Sequence, residues 1–288
     1  MLDITARRTA IAEDVKEARA GYAALWQRVI TDWRSSTTGC HAWLTYSANY
    51  LFSCNGFKWA LDPFSMSSRL AGLTTPDYVN DLAPLSLIVL THAHNDHLDR
   101  GLIAALKYAP VEWVIPEAVQ DILKQEGELP DRGVITPTPG EEIIRDSLRL
   151  TPFESLHFNG GHGVPEMGYL VEMGTRRWLF PGDVREYNLQ KLPRFGSLDG
   201  VVGHLWLGKA RALEAPPPLL DAFCDFFNGF KSEQLFIAHL NEFGRDETEQ
   251  WRVDHFEMVK AALLERAPQL CVSKFLMGDR MDFDTVRI

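Results

Sequence analysis

The chain has 288 residues, 45% of them hydrophobic, and a formal net charge of −10. That apolar share can bury one large core, so one main domain is expected. The acidic balance argues against a nucleic-acid partner, because such proteins usually present a basic face to the phosphates. The opening stretch MLDITARRTAIAEDVKEA lacks the apolar centre of a signal peptide, and no run approaches the ~20 apolar residues of a membrane span. Cys40, Cys54, Cys224 and Cys271 are scattered without a C-x-x-C pair and read as reduced thiols of a cytoplasmic protein.

Residues 11–34 read as a helix, with Val15, Ala18, Tyr22, Leu25, Val29 and Trp33 recurring at steps of three and four. The stripe predicts a helical extension, residues 1–38, packed on a domain that fills 39–288. Residues 41–52 and 57–61 read as two strands around a turn at Cys54-Asn55-Gly56. They lead to Leu61-Asp62-Pro63, where an Asp before Pro is a common turn former. Residues 65–81 are a polar loop. After Pro84 the short apolar run Leu87-Ile88-Val89-Leu90 reads as a buried strand. It delivers His92, His94, Asp96 and His97 within six residues. Three imidazoles and a carboxylate this close would repel and desolvate one another at a buried strand end. A multivalent cation removes the conflict, since neutral imidazole and carboxylate are good ligands for zinc and similar metals. In an extended segment His92 and His94 point to one side and can share a metal, while Asp96 and His97 follow the turn and can face a second.

Beyond this cluster, helices are expected at 101–107 and 117–124 around a strand at 111–115, a βαβ-like rhythm. Residues 141–149 and 150–155 read as paired strands. The stretch SLHFNGGHGVPEMGYLVE then carries His157 and His162 before a strand that starts at Gly168. Residues 177–180 form a short strand into Pro181-Gly182-Asp183. Strands follow at 201–207 and 235–238, the second delivering His239, with a helix at 219–227 between them. A helix at 251–264 and a strand at 270–276 close the chain.

The pattern H-x-H-x-D-H after a hydrophobic strand closely resembles the signature of the metallo-β-lactamase superfamily, and further motifs in the expected order extend the resemblance over about residues 43–276. The resemblance implies an α/β fold: a four-layer αββα sandwich with metals at one edge of two packed sheets. It also implies a ligand set. His162 stands six residues before Gly168, the offset of the superfamily's third motif. That favours His162 over His157 as a ligand and leaves His157 a supporting role. Asp183, in a strand-ending Gly-Asp, would bridge two metals, and His239 would complete the second. Asp62 and Asp99 would support the site from behind the ligands. The implied assignment is His92, His94 and His162 on the first metal, Asp96, His97 and His239 on the second, and Asp183 between them. His204 is expected to be structural.

The implied cofactors are two divalent ions, zinc first, with manganese or iron(II) as the alternatives. The implied activity is that of a metal-dependent hydrolase using a metal-activated bridging hydroxide, with Asp96 positioning or deprotonating the nucleophile. The segment THAHNDHLD looks like the branch that contains L-ascorbate-6-phosphate lactonase and N-acyl-phosphatidylethanolamine phospholipase D, which points to a small lactone, ester or phosphodiester. Arg185, Lys209, Asn241 and Arg245 are the candidates to meet such a substrate, the three cations through an anionic substituent. HGVPEMGY resembles instead the corresponding segment of tRNA 3′-processing endonucleases, so a nuclease is a rival reading, set back by the acidic charge. Two others are a mononuclear iron dioxygenase of the same fold and a non-catalytic metal-binding protein. The complete ligand set argues against the last. The expected partner is a small molecule, with no nucleic acid and no membrane span, and a homo-oligomer is left open.

Overall fold

The computed structural model describes residues 3–70, 76–158 and 163–284. Its first element, α1 (Ile4–Ser35), starts earlier than the apolar stripe indicates, because the Asp3 side chain caps it by accepting from Thr5 N at 2.8 Å. The stretch expected as one strand over 41–52 is two, β1 (Cys40–Leu44) and β2 (Tyr50–Cys54). A tight turn divides them: Thr45 N and Oγ1 both donate to Asn49 O, at 2.8 and 2.9 Å. This hairpin sets Cys40 directly opposite Cys54, and the two form a disulfide. The reading of all four cysteines as reduced thiols is corrected for this pair, because strand register, not spacing in the chain, decides which residues meet. Cys224 and Cys271 are free.

The chain continues through β3 (Phe57–Leu61), α2 (Tyr78–Asp81), β4 (Leu87–Val89), α3 (Arg100–Leu106), β5 (Glu112–Val114), α4 (Glu117–Glu126) and β6 (Val134–Ile135). The second half holds β7 (Ile143–Arg145), β8 (Leu148–Glu154), β9 (Met167–Met173), β10 (Arg176–Phe180), β11 (Gly200–His204), α5 (Leu220–Gly229), β12 (Gln234–Ala238), α6 (Val253–Arg266) and β13 (Cys271–Lys274). A last short strand, β14 (Arg280–Asp282), was not expected from the sequence; it pairs with β1. The strands form two seven-stranded sheets, ordered β14-β1-β2-β3-β4-β5-β6 and β13-β12-β11-β10-β9-β8-β7.

Alternation along the strands separates three apolar layers. On β2 and β3, Tyr50, Phe52, Trp59 and Leu61 point between the sheets and meet Trp178, Phe180 and Val202 of the other sheet. The intervening Leu51 and Ala60 point outward, and with Ile88 and Trp113 they pack under α1, α3 and α4. On the second sheet, Val201, Leu235 and Ile237 pack outward against Phe223 and Phe227 of α5 and Val259 and Leu263 of α6. Helices therefore cover the outer face of each sheet, giving a four-layer αββα sandwich. The extension expected over 1–38 contributes Tyr22, Trp26, Val29, Ile30 and Trp33 to the outer layer of the first sheet. Trp33 Nε1 donates to Phe52 O at 2.8 Å, and the Lys58 ammonium donates to Trp33 O and Ser36 O at the C-terminal end of α1. No described helix is long and apolar enough to cross a membrane.

Candidate metal centre

The site lies where the C-terminal ends of β3, β4, β10, β11 and β12 converge. β4 runs into the histidine segment, and Asp62 leaves β3 beside it in left-handed backbone at φ 46°. Asp62 Oδ1 accepts from Thr91 N at 2.8 Å, and its Oδ2 accepts from Thr91 Oγ1 at 2.6 Å and from His97 Nδ1 at 2.8 Å. Asn49 Nδ2 donates to Asp62 O and Asp96 O, both at 2.8 Å, and pins the two segments together. The rings of His92, His94 and His157 lie within 4.8 Å of one another, centroid to centroid.

His157 is the residue the sequence placed in a supporting role; its ring stands instead among the candidate ligands. Its Nδ1 is tied to the Val164 backbone, 2.9 Å from O and 3.1 Å from N, and its Nε2 is left over. Gly163 makes the fold-back possible: at φ 81°, a Cβ there would meet His157 O at 2.3 Å. His162 lies outside the described residues.

Asp183 follows β10 and His239 follows β12. Ligand-capable atoms of His92, His94, His157 and Asp183 all lie within 4.8 Å of one another, and so do those of Asp96, His97, Asp183 and His239. Asp183 belongs to both groups. The Nε2 atoms of His92, His97 and His157 are buried and have no hydrogen-bond partner among the described residues. Buried polar atoms left so are costly and uncommon. Neutral imidazole and carboxylate donors in this arrangement fit a pair of divalent ions, whose binding would satisfy all three atoms.

The electrostatics of the first group agree with such a role, and in the second group an ion would take the place of the protons that the carboxylates attract. Burial pushes His92 down to about 3 and both His94 and His157 down to about 4, so these rings are neutral donors at physiological pH. Burial also opposes charge on His97 and His239, but the carboxylates of Asp183 and Asp96 outweigh it and hold both above the ordinary imidazole range. Asp96 and Asp183 are buried too, yet His97 and His239 hold them below the ordinary carboxylate range.

Several groups that face the ligands were not anticipated. Glu166 Oε1 lies 3.0 Å from His92 Nδ1, and the same carboxylate accepts from Asp183 N. Gly182, at φ 79°, leaves room for it, since a Cβ there would sit 2.3 Å from Glu166 Oε1. His204, expected to be structural, donates from Nδ1 to Asp183 Oδ1 at 2.8 Å and accepts from Tyr50 Oη at 2.9 Å. One signal was available for His204: like His239, it ends a buried strand. Glu166 sits in the quoted HGVPEMGY run but carries no spacing rule of its own.

Over these groups opens a cleft of about 400 Å³, whose lining includes Arg69, Arg185, Trp206, Lys209, Glu242 and Arg245. The Arg185 guanidinium lies over the Trp206 ring at 5.3 Å. Two expected site residues are elsewhere. Asn241 lines a separate depression with Arg7 and Asp14 of α1, because left-handed backbone at φ 56° turns it away from the cleft. Asp99 caps α3 by accepting from Leu102 N at 2.9 Å and takes Ser65 N and Oγ on its other oxygen, so it anchors a loop and belongs to neither ligand group.

The family model described as the beta-lactamase superfamily domain matches residues 62–211. A UPF0173 metal-dependent hydrolase of Polynucleobacter asymbioticus is 32% identical over 123 residues, which cover 36% of this chain and 43% of that protein. The chain thus spans less than half the length of this relative. Among solved structures, Igni18, a metallo hydrolase from Ignicoccus hospitalis, is similar with a TM-score of 0.60 and 17% identity over 86% of this chain and all of its own. YhfI from Bacillus subtilis, a metallo-beta-lactamase fold protein, gives 0.59 with 14% identity over 85% of this chain and all of its own. CmlA, a diiron beta-hydroxylase from Streptomyces venezuelae, gives 0.59 with 12% identity over 85% of this chain and 54% of its own. These likenesses speak to the fold, which is of the metallo-β-lactamase type. The family match takes in Asp62, the H-x-H-x-D-H run, His157, Asp183 and His204 and spans more than half of the 288 residues, so the chain belongs to the beta-lactamase superfamily domain family.

Proposed function

We propose that the chain is a metal-dependent hydrolase acting on a small lactone, ester or phosphodiester that carries an anionic substituent. The observation that carries this reading is the pair of His/Asp groups sharing Asp183 at the base of an open, cation-lined cleft. The name of the Polynucleobacter relative, a metal-dependent hydrolase, supports it. His92, His94, His157 and Asp183 would hold one ion, and Asp96, His97, Asp183 and His239 the other. When bound, two such ions, zinc or a related divalent cation, would supply the acidification of water and the charge stabilisation that hydrolysis at a carbonyl or phosphoryl centre needs.

The chain's own part is orientation. Asp62 fixes His97 through Nδ1, Thr91 Oγ1 holds His92 Nδ1 at 2.9 Å with Glu166 Oε1 3.0 Å away, and His204 fixes Asp183. Asp96 Oδ2 lies 3.0 Å from His239 Nε2, so the two could share an ion, and Asp96 Oδ1 would remain to orient or receive the proton of an attacking nucleophile. Arg185 and Lys209 line the cleft and have no carboxylate partner among the described residues, so their charge is available to a substrate anion. Arg245 lines it as well, with Glu242 and Glu249 already sharing its charge. A cleft of about 400 Å³ matches small-molecule sites rather than a polymer track.

His94→Ala is the first test: turnover should disappear and metal content fall, and wild-type values of both would refute the assignment. A screen of lactones, esters and phosphodiesters, each with and without an anionic substituent, tests the substrate class. Arg185→Ala should selectively lower kcat/KM for the anionic members. Efficient RNA cleavage at physiological salt, with the small compounds untouched, would overturn the proposal.

A further inference from the structure

Lys209 and Ala210 line the cleft from one segment, residues 208–212, and Glu242, Arg245 and Trp251 line it from another, residues 241–251. Neither segment belongs to a helix or strand. With no ladder of hydrogen bonds to fix them, their placement depends on what lies behind them. Behind both stands a buried polar node. Gln250 is fully buried, and its Nε2 donates to Glu242 O at 2.9 Å. Asn241 N donates to Trp251 O at 2.7 Å, which closes that segment into a loop. His255, in the first turn of α6, is buried as well. Ala212 O can only accept, so His255 Nε2 donates to it at 2.9 Å, and Nδ1 accepts from Arg252 N at 3.1 Å. Ala212 N donates in turn to Thr248 O at 2.8 Å. The two cleft segments are thus tied to each other and to α6.

The group that closes this node comes from the other end of the chain. Arg7, in the first turn of α1, has a side chain only 7% exposed. Its Nη1 donates to both oxygens of Asp254, at 3.0 and 2.8 Å, and its Nη2 donates to Gln250 O at 3.3 Å. The same Nη2 lies against the His255 ring, 3.0 and 3.2 Å from its nitrogens. Two turns on, Asp14 accepts from Arg252 Nη1 at 2.5 Å, and that Nη1 donates to Gln250 Oε1 at 3.2 Å. Burying a guanidinium beside one half-exposed carboxylate gains little stability, since an apolar side chain would often serve as well. What arginine alone supplies is a rigid fork that meets several groups at once.

We propose that Arg7 is a positioning residue: through Gln250 and His255 it fixes the two segments that carry Lys209 and Arg245, so the N-terminal end of α1 is part of the scaffold of the substrate cleft. The inference rests on reading that cleft as the substrate site. His239 is held separately, its N donating to Ser47 O at 2.8 Å, so the candidate metal positions stand apart from this device.

The test compares the full wild-type chain with Arg7→Met and with Arg7→Lys, which keeps a charge for Asp254 but lacks the fork. The first readout, amide hydrogen exchange followed by mass spectrometry, does not depend on turnover. In Arg7→Met, exchange over 208–212 and 241–251 should rise about 2- to 10-fold, the worth of one lost hydrogen bond, with β3, β9, β12 and the bound Zn2+ content as in wild type. Arg7→Lys should recover little of the difference. The second readout is hydrolysis of bis(4-nitrophenyl) phosphate, an anionic phosphodiester. Its kcat/KM should fall about 10- to 100-fold in Arg7→Met, mostly through KM, because misplaced cations hold the anion less well. Unchanged exchange in both segments would overturn the proposal. So would faster exchange across both sheets, which would make Arg7 a residue of global stability alone, or full recovery in Arg7→Lys, since an ion pair to Asp254 would then suffice. A wild type that cleaves no small ester, lactone or phosphodiester would sink the hydrolase reading instead, and the exchange result would still decide this one.

Discussion

Replacing Asp62 with Asn tests how the fold prepares His97 as a ligand. The change keeps the shape and converts one acceptor oxygen into an NH2 donor. Asp62 is 1% exposed and accepts three hydrogen bonds, two from Thr91 and one from His97 Nδ1. With Nε2 given to an ion, the carboxylate would hold the one remaining His97 proton on Nδ1, while Nε2 faces Asp96 and Asp183. If the new amide nitrogen takes the place of Oδ2, it donates to His97 Nδ1 and drives the proton to Nε2, the ligand atom. If it takes the place of Oδ1, it faces Thr91 N–H, donor against donor in a dry site, at a cost of about 1–3 kcal/mol. Removing the group behind a metal-ligating histidine weakens metal binding about 10–100-fold, which is about 1.4–2.7 kcal/mol. Calorimetric titration of metal-free Asp62→Asn with Zn2+ should show one equivalent weakened by that range and the other near wild type. Two equivalents bound with wild-type affinity would refute the tautomer argument.

Three other outcomes are expected. His157→Ala should lose about one equivalent of metal without unfolding, read by elemental analysis; retention of both would pass the third imidazole to His162. Trp33→Ala removes a fully buried indole and its bond to Phe52 O, and should cost about 3–5 kcal/mol in urea unfolding; an unchanged midpoint would mean that α1 is not part of the cooperative core. Lys58 bears on pH: burial pushes it down from its ordinary 10.5 to about 8. Between those values the unfolded chain binds more protons than the folded one, so wild type should gain stability over Lys58→Met as pH rises from about 8 toward 10.5. A flat or falling difference across that window would contradict the burial argument.

The sequence by itself determined the core of the candidate metal centre. His92, His94, Asp96 and His97 are neighbours in the chain, and a strand followed by a turn sorts them by local geometry alone. Asp62, Asp183 and His239 were legible through the resemblance, whose motifs fall where short apolar strands end, and the ends of adjacent strands lie side by side. The strand and helix rhythm gave a βαβ-like order, and the layered architecture came from the resemblance that the motifs carry. What the sequence left open depends on which distant strand ends meet. Glu166 reaches Asp183 across 17 positions and Tyr50 reaches His204 across 154, and no local period encodes either meeting. His157 and His162 share one stretch, and the offset to Gly168 cannot tell which ring is folded back; for His157, the Val164 backbone and the space at Gly163 do that. Left-handed turns after β12 parted Asn241 from Glu242, and the β1–β2 register joined Cys40 to Cys54. Alternation states which face of an element is buried, but only the packing of the two sheets decides what that face touches.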